Sequence, residues 1–125
     1  MSLIGHGIDI EDLDRFSFLS EDEDWIARVF TEREIDIIPS GTRRVSHIAS
    51  RFSAKEAAMK ALGLSFGSGV SFKDFEVFRE PGAPPRLELS KRMSDKANAL
   101  GVSNILLSLS HSDSSVIASV ILDSH

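Results

Sequence analysis

One helical run constrains the fold of this chain more than any other stretch, and it reads Arg51-Phe52-Ser53-Ala54-Lys55-Glu56-Ala57-Ala58-Met59-Lys60-Ala61-Leu62-Gly63. Its four alanines favour helix and leave room for a close neighbour. Gly63 is typical of the residue just past a helix end. We therefore expect a rigid helix that packs tightly and ends near Gly63.

Charged residues interrupt a helical face that should be apolar. At about 100° per residue the apolar stripe consists of Val45, Ile48, Phe52 and Met59. Glu56 falls on the shoulder of this stripe, with Lys60 one turn further along. Spacing alone also allows a Glu56–Lys60 ion pair on a solvated face, worth only a few tenths of a kcal/mol. Either way, the helix holds a carboxylate at the edge of the core.

Length and composition favour one intracellular domain. With 125 residues, 42% of them hydrophobic, we expect a single domain spanning 1–125 around one core. The chain has no cysteine, which excludes a disulfide framework and a thiolate nucleophile. No signal-peptide pattern or membrane-length apolar stretch is present, so we expect a soluble cytoplasmic protein with no membrane partner.

The charge is unevenly distributed. A net charge of −5 argues against nucleic acid as a partner. Between Asp9 and Asp24 lie eight acidic residues and only Arg15, whereas between Arg43 and Lys60 lie five bases and only Glu56. The basic stretch predicts a local surface that attracts a polyanion or an acidic protein, with ordinary solvated charge as the alternative.

The first third of the chain predicts one strand and three short helices. Leu3 to Ile10 reads as a buried strand, with Asp9 near its end in a position that commonly caps the next helix, here starting at Glu11. Ser20 to Glu23 reads as a capping box that opens a helix. Thr31 to Glu34 reads as a second capping box, and Pro39 to Gly41 ends the helix that follows it.

The remaining two thirds predict a long helix, two hairpins and one more helix. The ranges are a helix from Thr42 to Leu62, strands from Phe72 to Phe78 and Pro85 to Leu89, a helix from Ser90 to Leu100, and strands from Ile105 to Ser110 and Val116 to Leu122. The small-residue loop from Leu64 to Gly69 is either a connector or a flexible lip near phosphates.

Two separated motifs resemble those of one enzyme family. The run from Arg51 to Gly63 resembles the W/F-x-x-K-E-A-x-x-K-A-x-G signature of the 4′-phosphopantetheinyl transferases, above all the short holo-acyl-carrier-protein synthases. Gly5-His6-Gly7-Ile8-Asp9-Ile10 is similar to the opening Gly-x-Asp-Ile/Val motif of that family. Phe30 to Glu34 and Leu107 to Ser112 also look like family segments, so the resemblance spans essentially the whole chain.

The resemblance implies a fold and a reaction. The fold is α+β, a single domain in which an antiparallel sheet packs against the long helix. In the reaction, the phosphopantetheine arm of coenzyme A is transferred to a serine of an acyl carrier protein, and adenosine 3′,5′-bisphosphate is released. Such an activity belongs to fatty-acid synthesis. The non-enzymatic alternative is a module that binds coenzyme A or a nucleotide through Lys60 and the arginines, with Asp9 as a helix cap.

Asp9, Glu56 and Lys60 are the predicted catalytic residues. Two carboxylates brought together repel each other unless a divalent cation lies between them. Magnesium accepts one or two carboxylates and completes its shell with water and substrate phosphate, so Asp9 and Glu56 are predicted as Mg²⁺ ligands. Lys60 would hold the diphosphate. The base for the serine stays open between Glu56, Asp9 and a water on the metal.

The resemblance also assigns binding residues. Those predicted to contact coenzyme A are Lys60, Gly63, Arg43, Arg51, Pro84 and His111, with the two arginines directed at the 3′-phosphate. For the arginines and His111 the competing reading is a solvated surface position.

Contacts to the acyl carrier protein are predicted at Arg15 and Arg28, with plain surface charge as the alternative. The resemblance to the short family members implies a homotrimer, with sites at the subunit interfaces. The loop from Pro84 to Arg86, or the loop at His111, would then close over coenzyme A held by the neighbouring chain.

Overall fold

A computed structural model describes residues 2–65 and 69–124. Its main elements are β1 Ser2–Asp12, α1 Leu13–Leu19, α2 Glu23–Val29, α3 Glu32–Asp36, α4 Arg44–Ala61, β2 Phe75–Phe78, β3 Arg86–Leu89, α5 Lys91–Ala99, β4 Asn104–His111 and β5 Ser115–Ser124. Among the described residues, no helix has the length and apolar character that a membrane crossing requires.

Every strand pairing that the structure describes is antiparallel. β1, β5 and β4 form a three-stranded sheet with β5 in the centre, and β2 and β3 form a separate hairpin. The long helix α4 packs across β1 and β5. The predicted α+β class, both hairpins and the long central helix are therefore confirmed.

Helix α4 approaches β1 at backbone contact distance. A Cβ atom added at Gly7 would lie 1.9 Å from the carbonyl oxygen of Ala57, and one at Gly5 would lie 2.1 Å from that of Ala61. The glycine face of β1 therefore fits against the alanine face of α4, and no larger side chain can replace either glycine without moving the helix.

This contact decides which face of β1 is buried. Because the glycines face α4, Ile8 and Ile10 point away from the core and are 52% and 65% exposed. The prediction of a buried first strand is thus wrong for these two residues, whereas Ile4 is partly buried and packs against the core. The apolar stripe of α4 was predicted correctly, since Ile48, Phe52 and Met59 are buried. Val45 is partly buried and packs against the core cluster that contains Ile48 and Phe52.

Two predicted helix starts are wrong. Glu11 and Asp12 stay in β1 because they pair with Val116 and Ser115 of β5, so α1 begins at Leu13 and Asp9 is not a helix cap. Ser20 does not open α2 either. It closes α1, and the side chain of Asp22 caps α2 by accepting a hydrogen bond from the amide of Trp25 at 3.1 Å.

The second capping box is confirmed, because Thr31 and Glu34 exchange side-chain and backbone hydrogen bonds at the start of α3. The strand expected from Phe72 begins only at Phe75, since Phe72–Asp74 forms a short 3₁₀ turn. The predicted loop from Leu64 to Gly69 lies partly outside the described residues.

The contact between β1 and α4 predicts a large penalty for Gly7→Ala. The added methyl group would clash with the backbone of α4, so the free energy of unfolding should fall by roughly 3 kcal/mol. Gly82→Ala is the matched control: its φ of +77° makes the new side chain strained, but nothing lies near it, so its cost should be only about 1 kcal/mol. Urea denaturation measures both, and a Gly7→Ala chain as stable as wild type would contradict the packing described.

Candidate functional site

Asp9 is held by two side chains of α4. Its carboxylate is buried, at 8% exposure, and lies on the face of β1 that meets the helix. Ser53 Oγ donates a hydrogen bond to Oδ2 at 2.9 Å, and Lys60 Nζ donates to Oδ1 at 3.2 Å and to the carbonyl oxygen of Ile8 at 3.0 Å. The orientation of Asp9 is therefore fixed by the approach of α4 to β1.

Two further carboxylates surround Asp9, and we call Asp9, Glu11 and Glu56 the carboxylate cluster. Burial and the charge of Asp9 raise the pKa of Glu56. Burial, together with a hydrogen bond to Asp9 and the charge of Asp9, raises the pKa of Glu11 to about 7. Arg15 offsets part of this charge, since its guanidinium lies 2.7 Å from Glu11 Oε1. The cluster thus has a local excess of negative charge.

The Glu56–Lys60 ion pair that spacing allowed is not formed among the described residues. Lys60 is paired with Asp9 instead, and its side chain is 51% exposed. Lys60 therefore sits at the open edge of the carboxylate cluster, where a substrate anion can reach it. Gly63 ends α4 with a φ of +71°, and its amide bonds to the carbonyl of Lys60 at 3.0 Å.

A second feature is a cavity of about 820 Å³, which we call the basic pocket. It contains four of the predicted coenzyme-binding residues. The residues that line it are Ile37, Pro39, Arg43, Ser46, His47, Ser50, Arg51, Arg79, Pro84, Pro85, Leu109, Ser110, His111 and Val116. His111 is the last residue of β4, paired with Val116, rather than a loop residue as predicted.

The basic pocket has a strongly positive interior. Within the described part of the chain, no carboxylate lies within ion-pair distance of its arginines, Arg43, Arg51 and Arg79. Burial and the charge of Arg79 lower the pKa of Arg51. Burial and the nearby arginines lower the pKa of His47 to about 4, so its imidazole is neutral at pH 7. A polyanion would relieve this repulsion.

The carboxylate cluster and the basic pocket lie on opposite sides of α4. Glu56 follows Arg51 by five positions and His47 by nine, which places it about 140° and about 180° away around the helix axis. Neither Asp9 nor Glu56 nor Lys60 lines the pocket. One chain therefore brings the predicted residues together in two separate groups.

The predicted carrier contacts occupy different surroundings. Arg15 is bound to Glu11, and its guanidinium lies 5.4 Å from the ring centroids of both Phe16 and Phe52. Arg28 is exposed and lines a smaller cavity of about 400 Å³ beside Trp25 and Phe72.

Comparisons with known proteins decide the family. Residues 5–118 match the model of the 4′-phosphopantetheinyl transferase superfamily. This chain belongs to the 4′-phosphopantetheinyl transferase superfamily. It is 39% identical to a holo-[acyl-carrier-protein] synthase of Koribacter versatilis, over 97% of this chain and 98% of the relative. The family resemblance expected from the two sequence motifs is therefore confirmed.

Solved structures of synthases have the same fold. The holo-[acyl-carrier-protein] synthase of Neisseria meningitidis superposes with a TM-score of 0.88 at 28% identity, covering 98% of this chain and 100% of that one. A synthase of Bacillus anthracis, solved in complex with CoA (3′,5′-ADP), gives a TM-score of 0.82 at 34% identity, with 98% of each chain covered.

Within the superfamily signature, the lysine before Glu56 was overlooked. Lys55 is fully buried and pairs with Glu34, itself 3% exposed, at 2.6 Å. Lys55 Nζ also donates to the carbonyls of Phe72 and Phe75, and Glu34 Oε2 accepts from the amide of Val77. This network ties α4 to α3 and to the start of β2. The sequence did contain a signal for the burial of Lys55, because Lys55 lies three residues after Phe52 and four before Met59 and so falls on the apolar stripe of the helix.

Other residues of the two groups were also missed. Glu11 lies two residues after Asp9, and residues two apart in a strand share one face. The predicted strand ended at Ile10 and so left Glu11 out. His47 lies one helical turn from Arg43 and from Arg51, which was a usable signal. Arg79 and Ser53 had no signal, because their roles depend on tertiary contacts.

Proposed function

We propose that this chain transfers the 4′-phosphopantetheine group of coenzyme A to a serine of an apo acyl carrier protein, releasing adenosine 3′,5′-bisphosphate. One observation carries the proposal: the three polar residues of the two family motifs, Asp9, Glu56 and Lys60, lie close together in this chain. Lys60 donates a hydrogen bond to Asp9, and the charge of Asp9 raises the pKa of Glu56.

Magnesium fits the carboxylate cluster by its donor set. Asp9 and Glu56 offer the hard oxygen ligands that Mg²⁺ prefers, and the raised pKa of Glu56 reflects burial and repulsion that a cation would offset. The described residues contain no preassembled site of three or more protein ligands, so these two carboxylates would hold the ion together with water and substrate oxygens. When bound, it neutralises charge on the diphosphate.

The residues of the cluster have distinct roles in the proposed transfer. The serine oxygen bonds to the phosphorus that carries pantetheine, the bond from that phosphorus to the bridging oxygen breaks, and adenosine 3′,5′-bisphosphate leaves with the electron pair. Lys60, half exposed beside Asp9, can donate to the diphosphate oxygens. Asp9 already accepts bonds from Ser53 and Lys60, which favours Glu56 as the acceptor of the serine proton.

The basic pocket is the proposed binding site for the nucleotide part of coenzyme A. Arg43 and Arg51 supply guanidinium groups for phosphate that no carboxylate of the described residues pairs with, and Pro84 and His111 line the same cavity. At about 820 Å³ the cavity is within the size range of small-molecule sites. Gly63, next to Lys60 at the helix end, would allow the phosphopantetheine arm to pass close to the backbone.

A complete site is proposed to form between neighbouring chains, because one chain holds its two groups on opposite sides of α4. The outward face of the three-stranded sheet offers a surface for such an assembly. It carries the side chains of Ile8, Ile10, Leu106, Ile117 and Ile121, which are exposed or half-exposed. Ile10 pairs with Ile117, and Leu106 with Ile121, so the patch is continuous across the strands. A homotrimer with shared sites would cover it.

The carrier protein is proposed to approach from the side of α1 and α2, through Arg15 and Arg28. Phe18, three residues after Arg15 on α1, is 86% exposed and offers an apolar contact. We also propose that the protein acts in the cytoplasm, in fatty-acid synthesis, and that residues 1–125 form a single domain. The binding-only alternative used Asp9 as a helix cap, and the position of Asp9 within β1 removes that support.

Transfer is expected to need both Asp9 and Glu56. With apo acyl carrier protein, coenzyme A and Mg²⁺, the wild-type chain should add one phosphopantetheine to the carrier, detected by mass spectrometry. Asp9→Asn and Glu56→Gln should each lower kcat at least about 100-fold, because they remove a metal ligand or base without changing side-chain volume.

Asp95→Asn is the control for these variants, since Asp95 is exposed and pairs only with Lys91 on α5 among the described residues. It should retain wild-type kcat. Wild-type turnover in the Glu56→Gln chain, or full activity in the presence of a chelator, would refute the assignment of the metal site.

The shared site predicts complementation between differently damaged chains. Glu56→Gln damages the carboxylate cluster and Arg51→Gln weakens coenzyme binding in the basic pocket, so at a coenzyme A concentration well below the wild-type KM each homotrimer should be nearly inactive. After subunit exchange, mixed trimers contain interfaces at which an intact cluster meets an intact pocket, and activity should return.

Mixing Glu56→Gln with Asp9→Asn is the matched control, because both changes fall in the same group and no interface regains an intact cluster. Activity that stays absent in the first mixture despite proven exchange, or a monomer by light scattering, would exclude a shared site.

A further inference from the structure

Of the three arginines that line the basic pocket, Arg79 has no role in the reaction described above. It lies in the turn after β2, and its Nε donates to the carbonyl oxygen of Ala83 at 2.8 Å. That bond is the one described for its side chain, and it uses neither terminal nitrogen. Pro84 and Pro85 follow directly and line the same cavity. The turn therefore fixes a guanidinium at the pocket wall with both terminal groups available.

Arg51 faces the same cavity from α4. Its Nη1 donates to Ser50 Oγ at 3.1 Å, while its Nε is buried and has no hydrogen-bond partner among the described residues. Two guanidinium groups thus share one cavity without a carboxylate between them. Such an arrangement is unfavourable in the free protein and favourable once an anion binds to both.

A phosphomonoester is the anion that suits this pair. It carries close to two negative charges at neutral pH and presents three terminal oxygens, so two guanidinium groups can each contact it. A phosphodiester or a bridging diphosphate oxygen has fewer free oxygens on each phosphorus. His47 is neutral at pH 7, since burial and nearby arginines lower its pKa, so it adds a hydrogen-bonding group rather than charge.

We propose that Arg79 and Arg51 together bind the 3′-phosphate of coenzyme A, and that Arg79 makes the enzyme discriminate against a coenzyme that lacks this phosphate. This inference rests on the proposed function, because it assigns a substrate group to the same pocket. The sequence predicted Arg43 and Arg51 for this phosphate. The inference adds Arg79, from the turn after β2, as a residue that determines specificity.

The test compares coenzyme A with dephospho-coenzyme A in the transfer assay. Arg79→Gln should raise KM for coenzyme A about 10-fold or more, because a charge-assisted contact is lost. Its KM for dephospho-coenzyme A should change less than about 2-fold, and kcat should be unaffected. Arg79→Lys, which keeps the charge but loses the fork, should fall between wild type and Arg79→Gln.

Lys91→Gln is the matched control, because it removes one positive charge from an exposed residue that does not line the pocket. It should leave both KM values unchanged. An equal rise in KM for the two coenzymes in Arg79→Gln, or no rise for either, would overturn the proposal. Thermal unfolding at the wild-type temperature would show that the variant is folded.

Binding measurements separate this inference from the proposed function. By calorimetry, wild type should bind adenosine 3′,5′-bisphosphate more tightly than adenosine 5′-monophosphate, and Arg79→Gln should lose most of that difference. If wild type binds in this way but transfers nothing to the carrier, the transferase proposal fails and the role of Arg79 stands. If wild type transfers phosphopantetheine but Arg79→Gln retains the full preference, only the role of Arg79 fails.

Discussion

The contact between the glycine face of β1 and the alanine face of α4 is the constraint on which the rest of the structure depends. Gly5 and Gly7 leave no space for a side chain against the carbonyls of Ala61 and Ala57. Because the two backbones approach so closely, Asp9 on the same face of β1 meets Ser53 and Lys60 of α4. The same contact turns the isoleucines of β1 toward solvent, where they form part of an apolar surface.

Helix α4 also divides the predicted site residues into two groups. The side that meets β1 carries Glu56 and Lys60, and the far side carries Arg51 and faces the basic pocket. The buried pair of Lys55 and Glu34 fixes the helix against the start of β2, and so limits rotation that would exchange these sides. The proposed site shared by two chains would let one coenzyme contact both groups, and it would account for an apolar sheet face and a divided site in the same molecule.

Local patterns predicted the elements but not the contacts between them. The helix α4, both hairpins and the Thr31 capping box follow from periodicity and turn residues, and family motifs pointed to Asp9, Glu56 and Lys60. Asp9 itself was open to a misreading as a helix cap, because the rule that identifies caps is local and β1 is extended by pairing with distant β5. The partners of Arg79 and Ser53 follow only from tertiary contacts, which no local pattern encodes.

A crystal structure of the protein with coenzyme A and Mg²⁺ tests most directly the central claim that two chains build one site. The account predicts that the diphosphate contacts Lys60, and the metal Asp9 and Glu56, of one chain, while the 3′-phosphate contacts Arg51 of its neighbour. A coenzyme held by Lys60 and Arg51 of the same chain, or a nucleotide bound outside the basic pocket, would contradict it.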